Sequence, residues 1–496
     1  MRADGDRTRR EGSTLTVPKD VREHVKDWAR REPWGRVAVY AALLVVTGAS
    51  ALLLFRVRAM TPTERAVTLI AAIVGWMLLV GLGWARGSLP LRPVVAAIAI
   101  TLLCAVATPS RQSGDVYSYA MYGRIVTVYH ENPYTTYPMH FEGDHMRRNV
   151  GELWQRTPDI YGVGFTAIMA ALAPAIGESR FLANFAYQLL AAAAVAALLW
   201  LLWRRTRSPI ALAFVGLHPL LSVSVVNGGH PDALIALGVF AGVFLALSHR
   251  VIWAAAAMAF AASINFTMIA AAVVLGVWAW RQWTRREVVE YSAIVGVFGV
   301  LPYLAVSGWL HTAHVHAEMI SRQSLWTAVG GLISRSGPLS FVQLSRGEWS
   351  AIVSNGATVI AGILLLAILV RHTSRGTPEP AIAAAMAAVL VASAWVMPWY
   401  GFAALPLFAL RKPNLLAWTV ALYSALVLVG EQFPALTAGY IGGLTHQLLQ
   451  YWVPVCALAA CVAVIVFRPR EVLTGSDALD VVAEPAPAAP AHAASA

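Results

Sequence analysis

The stretch LRPVVAAIAITLLCAVATPSRQSGDVYSYAMYGR, residues 91–124, joins two unlike pieces of chain. Residues 91–107 are apolar apart from Arg92, whereas 108–124 bring Arg111, Asp115, Arg124 and the tyrosines 117, 119 and 122. A helix rises 1.5 Å per residue, so a run of this kind is about what crosses the ~30 Å hydrocarbon layer of a bilayer. Asp115 follows the end of the run by eight residues, which puts it at the membrane surface.

The rest of the chain repeats the apolar part of that pattern. Of 496 residues, 58% are hydrophobic and 13% charged, against about a quarter charged in soluble proteins. Mean hydropathy is +0.62. A disordered chain, a disulfide scaffold and a compact nucleic-acid-binding domain are excluded. The net charge of +11 comes from 34 Arg and 3 Lys against 26 acids, and the cations gather in short clusters between apolar runs. That is how cytoplasmic loops of multi-pass proteins look. Cys104, Cys456 and Cys461 fall inside apolar runs, where no disulfide is expected. The charged first 35 residues do not read as a cleavable signal peptide.

The runs predict an all-α polytopic membrane protein of 13–14 spans: 36–55, 66–84, 91–107, 181–203, 209–226, 231–248, 287–306, 351–371, 380–397, 399–410, 414–430 and 447–467, with 251–280 split into two short helices meeting near Asn265. Keeping Arg204–Arg207, Arg281 to Arg286, Arg371 with Arg375, Arg411–Lys412 and Arg468 with Arg470 inside requires both termini to be cytoplasmic and 163–176 to dip without crossing. Arg56, Arg58 and Arg65 land outside. Residues 36–470 then form one transmembrane domain with extracytoplasmic loops at 108–162 and 307–350. A charged tail (1–35) precedes it, and an Ala/Pro-rich tail (471–496) that cannot build a core follows.

Asp115 fits two readings. Ser113 and Asp115 can cap a helix that starts there. A partly desolvated carboxylate at that surface can also act as general base toward a sugar hydroxyl. Tyr117, Tyr119, Tyr122, Tyr129 and Tyr134 fit an interfacial aromatic belt. His230 and Asp232 open a span, where an acid complements the helix N-terminus. Asn265 lies in mid-run and needs a partner, since an unpaired buried amide costs about 1–3 kcal/mol. In the second loop, His314 and Glu318 are spaced i,i+4 for a metal, and Arg322, Arg124 and the histidines suit a phosphate. Trp399 and Tyr400 follow Pro398 at an external turn and suit either sugar stacking or anchoring at the interface.

Several motifs together resemble the actinobacterial mannosyltransferases of the GT-C superfamily, most closely the α-1,6-mannosyltransferases of lipomannan-type chains. They are Gly114–Tyr119, Asn132-Pro133-Tyr134, Trp154 with Thr157-Pro158, Tyr161-Gly162, His218-Pro219-Leu220, Gly228-Gly229-His230-Pro231-Asp232-Ala233 and Pro398-Trp399-Tyr400. The chain departs from the pattern at Val163, Pro231 and Asn265, where Pro, Asn and Lys are expected. The resemblance implies a plasma-membrane enzyme with its site on the extracytoplasmic face. It implies transfer of mannose from polyprenyl-phosphate-mannose to a lipid-linked mannan or lipoglycan acceptor, with inversion and Asp115 as base. On this reading Arg124, His230 and Arg322 bind the donor phosphate, and Tyr117, Tyr119, Tyr161, Asp232, Asn265, Trp399 and Tyr400 bind sugar. No cofactor is expected, with a divalent cation as the alternative, and the partners are the two lipid-linked substrates and membrane lipid, not nucleic acid. Two other functions fit the span pattern: a transporter or flippase of a lipid-linked sugar, and a GT-C enzyme using another sugar such as arabinofuranose.

Overall fold

A computed structural model describes residues 33–111, 113–317, 319–333, 342, 344–371, 376–432 and 447–467. The two tails and the ends of several loops, Arg375, Arg468 and Arg470 among them, lie outside the described residues. So do the side chains of His314, His316 and Glu318. Among the described residues there is helix and no strand.

The longer helices, in order, are α1 (Trp34–Arg56), α2 (Pro62–Arg86), α3 (Leu91–Ala107), α4 (Asp115–Thr127), α5 (Val163–Ile176), α6 (Arg180–Thr206), α7 (Pro209–Gly216), α8 (Asp232–Leu247), α9 (Val251–Ile264), α10 (Ile269–Gln282), α11 (Arg285–Ala305), α12 (Trp309–Ala317), α13 (Leu325–Ile333), α14 (Arg346–Arg371), α15 (Glu379–Ala392), α16 (Leu415–Gln432) and α17 (Leu448–Phe467). Six of them, α1, α2, α6, α11, α14 and α17, are long and apolar enough to cross a membrane, and seven shorter apolar helices accompany them. Large apolar side chains such as Leu44, Leu103, Phe181, Trp253 and Val370 point outward. A water-facing surface would not tolerate such a coat, but lipid does. The chain is an all-α polytopic membrane protein.

Local signals place the helix ends. Thr61 and Glu64 form a reciprocal cap at the start of α2, as Thr284 and Glu287 do for α11, each satisfying two free backbone N–H groups. The α11 cap moves its start forward from 287 to Arg285. Residues 251–280 do form two helices, α9 and α10, joined by a 3₁₀ turn at Phe266–Met268 that Asn265 caps. At 14 residues, α5 is about 21 Å long and falls short of the hydrocarbon thickness.

Three sequence expectations need correction. Residues 209–226 are not one span. After α7 the chain breaks at Leu217, and a π-helical segment, Leu221–Val226, follows. Pro219 has no N–H to continue the ladder, and the His218 ring accepts the Leu220 N–H instead. Residues 380–397 stop being helical at Ala392, where Ser393 turns extended. Residues 399–410 form a 3₁₀ helix (Pro398–Ala404) and a single α turn (Leu405–Phe408).

The largest departure is α4. Read as part of an external loop, it is packed between α5 and α6, with every residue from Ser118 to Ile125 buried. Tyr119 and Tyr122 therefore belong to the core and not to an interfacial belt. Their hydroxyls are satisfied inside it: Tyr122 donates to the Thr157 carbonyl, and Tyr119 meets His230 and Tyr161.

Candidate functional site

The segment between α3 and α4 hangs from three amide side chains. Asn227 Nδ2 donates to the Ala105 and Thr108 carbonyls, and its Oδ1 accepts the Arg111 N–H. Gln188 donates to the Thr108 and Asn227 carbonyls. Asn184 accepts the Ser110 N–H and donates to the Tyr117 hydroxyl. All three are buried, so each bond is one the backbone could not replace with water.

This suspended segment delivers Asp115 as the first residue of α4. Gly114 is the N-cap residue and makes no side-chain cap, while the Asp115 N–H is taken by Ser113 Oγ. The Asp115 carboxylate does not cap the helix by hydrogen bonding, although its charge suits the helix N-terminus. Its side chain is 14% exposed, with Oδ2 3.8 Å from His230 Nδ1. Burial raises its pKa to about 6, against the lowering effect of the Ser113 hydroxyl.

His230 is carried by a loop that only glycine allows. Gly229 has φ +62°, and a Cβ there would lie 2.8 Å from Tyr187 Cβ and 2.9 Å from Val116 Cγ1. The His230 ring stacks on Trp399 at 3.5 Å and meets the Tyr119 hydroxyl at 3.0 Å. Burial alone pulls its pKa down to about 3. The ring is neutral at ordinary pH, so it lacks the positive charge expected of it for a donor phosphate. Tyr161 closes the group, donating to the Tyr119 hydroxyl at 3.3 Å.

Arg124, also expected to bind phosphate, is committed elsewhere. Its Nε lies 2.8 Å from Asp144 Oδ2 and its Nη2 3.1 Å from Glu178 Oε1. It ties α4 to the 141–150 segment and to the α5–α6 turn. Arg322 is exposed and stands beside Ser321, which bonds to Ala394 and Val396. Tyr117 holds to Asn184 and lies under Arg180, whose guanidinium is 5.6 Å from the ring centre.

A cavity of about 470 Å³ opens next to this group. Tyr161, Asp232, Asn265, Trp309, Trp395 and Tyr400 are among its lining residues, and Asp115 is not. The Asp115 charge nevertheless acts on both Tyr161 and Tyr400. Asp115 is therefore within electrostatic reach of two aromatic residues of the cavity. The structure thus gathers Asp115, Tyr119, Tyr161, His230, Asp232, Asn265, Trp399 and Tyr400 at one end of the bundle. Arg124 is drawn off into an ion pair, and Tyr117 points into the amide network.

Sequence reasoning passed over Asn184, Gln188, Asn227 and Asp159. The first two stand i,i+4 in an otherwise apolar stretch of α6, a visible sign of one polar stripe. Asp159 is buried, accepts from the Tyr161 N–H and the Thr166 hydroxyl, and has its pKa raised to about 7 by burial. Among the described residues no three His, Cys, Asp or Glu side chains converge as metal ligands.

The family model described as alpha-(1->6)-mannopyranosyltransferase, N-terminal domain, matches residues 34–282. That region contains the amide network, Asp115, His230, Asp232 and Asn265. Arg322, Trp399 and Tyr400 lie beyond it. No curated protein and no solved structure matches the chain.

Proposed function

We propose, from the premise that this chain belongs to the alpha-(1->6)-mannopyranosyltransferase family, that it moves mannose from polyprenyl-phosphate-mannose to a lipid-linked mannan or lipoglycan acceptor, with Asp115 as general base. The work is done at the extracytoplasmic face of the plasma membrane, with both termini in the cytoplasm. An acceptor hydroxyl oxygen attacks C1 of the mannosyl phosphate. The bond from C1 to the phosphate oxygen breaks, polyprenyl phosphate leaves with the electron pair, and the hydroxyl proton passes to the Asp115 carboxylate. In-line attack inverts C1, so a β-linked donor gives an α-linked product.

The observation that carries this reading is the state of Asp115. It is a largely buried carboxylate with no cation paired to it among the described residues, and its proton affinity is raised toward neutrality. A general base works best with a pKa near the working pH. The nearest ionisable ring, His230, is neutral and so does not quench that basicity. Tyr161 and Tyr400, on which the Asp115 charge acts, line the adjoining cavity with hydroxyls and ring faces suited to a sugar. Of the three basic residues expected at the donor phosphate, Arg124 is paired with Asp144 and Glu178, His230 is uncharged, and Arg322, exposed beside the 394–396 turn, faces the Glu431 charge.

Asp115→Asn keeps the shape and removes the base. Transfer from radiolabelled polyprenyl-phosphate-mannose to a short mannoside, with purified protein in detergent, is expected to fall about 10²–10⁴-fold. Unchanged turnover in a folded variant removes Asp115 from the mechanism.

A further inference from the structure

The cavity has a composition that selects among the substrates of such a reaction. Its polar groups include Asp232 on α8, the Asn265 amide at the α9–α10 elbow, the Tyr400 hydroxyl, and hydroxyls of α14. Among the described residues, not one Lys, Arg or His lines it. Asn265 Oδ1 is occupied by the Thr267 N–H and hydroxyl, which leaves its Nδ2 as the donor end. Among the described residues no side-chain partner takes the Tyr400 hydroxyl or pairs with the Asp232 carboxylate, although both residues line the cavity.

A phosphate brought into this space would find no cation to offset its charge among the described lining residues, and an unpaired charge in a low-dielectric site is costly. A neutral polyol meets the opposite situation. Planar amide and carboxylate groups can bind its hydroxyls, while Trp309, Trp395 and the Tyr161 ring offer flat apolar surface to its C–H faces. The volume lies within the roughly 300–1,000 Å³ of small-molecule sites. Lining residues repeat at helical spacing on three helices: Asp232 with Ile235, Ser354 with Ala357 and Thr358, and Met386 with Val389 and Leu390. The exposed Phe266, Thr267 and Thr358 mark where the cavity opens.

We infer that this cavity is the subsite for the uncharged acceptor glycan, with Asp232 and Tyr400 as its hydroxyl-recognising residues, and that the donor phosphate is bound outside it. The inference rests on the proposed mannosyl transfer for the identity of the glycan. It places a neutral mannoside with its terminal ring against Tyr161 and Tyr400, the two residues that also feel the charge of Asp115. The acceptor hydroxyl would then reach the base past these two tyrosines.

The test uses the full chain purified in detergent, with methyl α-(1→6)-mannobioside as probe in isothermal titration calorimetry. The protein is expected to bind the mannobioside, and geranyl phosphate is expected to leave the isotherm unchanged. Asp232→Asn and Tyr400→Phe should each weaken binding about 2–10-fold, the range for losing one neutral hydrogen bond. In transfer assays both variants should raise the acceptor KM and leave the donor KM in place. The inference is overturned if geranyl phosphate competes with the mannobioside, or if the folded parent binds no mannobioside. It is equally overturned if the variants move the donor KM alone. Should Asp232→Asn fail to fold, Tyr400→Phe decides, since it removes one oxygen and no volume. Mannobioside binding that responds to these variants, without any mannose transferred from polyprenyl-phosphate-mannose, would sink the proposed function and leave the cavity assignment standing.

Discussion

Gly229→Ala presses one methyl group into the gap between Val116 and Tyr187. Two costs add. The residue is held at φ +62°, a conformation that costs an L-residue about 1–2 kcal/mol. The new Cβ would then sit 2.8 Å from Tyr187 Cβ and 2.9 Å from Val116 Cγ1, and relieving such overpacking typically costs a further 1–3 kcal/mol. The expected destabilisation is about 2–5 kcal/mol. The relief must come from Val116, which follows Asp115 directly, or from the loop that carries His230. A shift of about 1 Å at a reacting group can cost around 10²-fold in rate, so transfer should fall more than stability alone explains. Gly87→Ala is the control. Gly87 also has positive φ, +84°, but nothing lies within 4 Å of its would-be Cβ. It should lose only about 1–2 kcal/mol and keep its activity. Unfolding in mixed micelles and mannose transfer are measured on both. If Gly229→Ala unfolds like Gly87→Ala and transfers mannose like the parent, the close approach of this loop to α4 does not position the site.

Arg124→Met leaves the Asp144 carboxylate, which is fully buried, without its cation. Breaking a buried pair from one side costs about 3–5 kcal/mol, and micellar unfolding should show it. Folded Arg124→Met protein should still bind the polyprenyl-phosphate donor as the parent does, and a loss of donor affinity would return Arg124 to the phosphate site. Asp159 holds its proton more tightly folded (about 7) than in a free chain (3.8). Its stabilising contribution is therefore full below about pH 4 and is lost as pH rises toward 7; thermal unfolding of Asp159→Asn across that range should fall less steeply than the parent. The transfer rate should climb with unit slope through about pH 6 and level off above it, because Asp115 acts as base only when deprotonated. A flat profile from pH 5 to 8, with chemistry limiting, contradicts that role.

The apolar runs read well because lipid imposes one demand along the whole length of a span. The elbow at Asn265 was legible for the same reason: polar residues in mid-run force a break or a partner. The break at 217–220 was not, since Pro219 alone permits a kinked helix, and the bond from His218 Nε2 to the Ala421 carbonyl joins residues 203 positions apart. The burial of α4 was hidden by its own composition. Tyrosines read as surface residues unless their hydroxyl partners are known, and those partners, Thr157, His230 and Tyr161, come from other segments. The ion pairs of Arg124 were hidden in a similar way, because a lone arginine shows its charge in the sequence but not the acids that pair with it. Asp115, His230 and Asp232 were picked out by motif, and the structure brings them to one end of the bundle. Their division between the base's side and the cavity's side depends on the directions of side chains on three different elements.

The three amides that suspend the 108–111 backbone carry no proton that acidity can add or remove. Asn184, Gln188 and Asn227 hold that strap with the same grip at pH 5 as at pH 8, while the acid it presents changes its charge over the same interval. The bracket is indifferent to the variable its cargo responds to. A titration of activity would thus follow the ionisation of one carboxyl, undisturbed by any slackening of its mount.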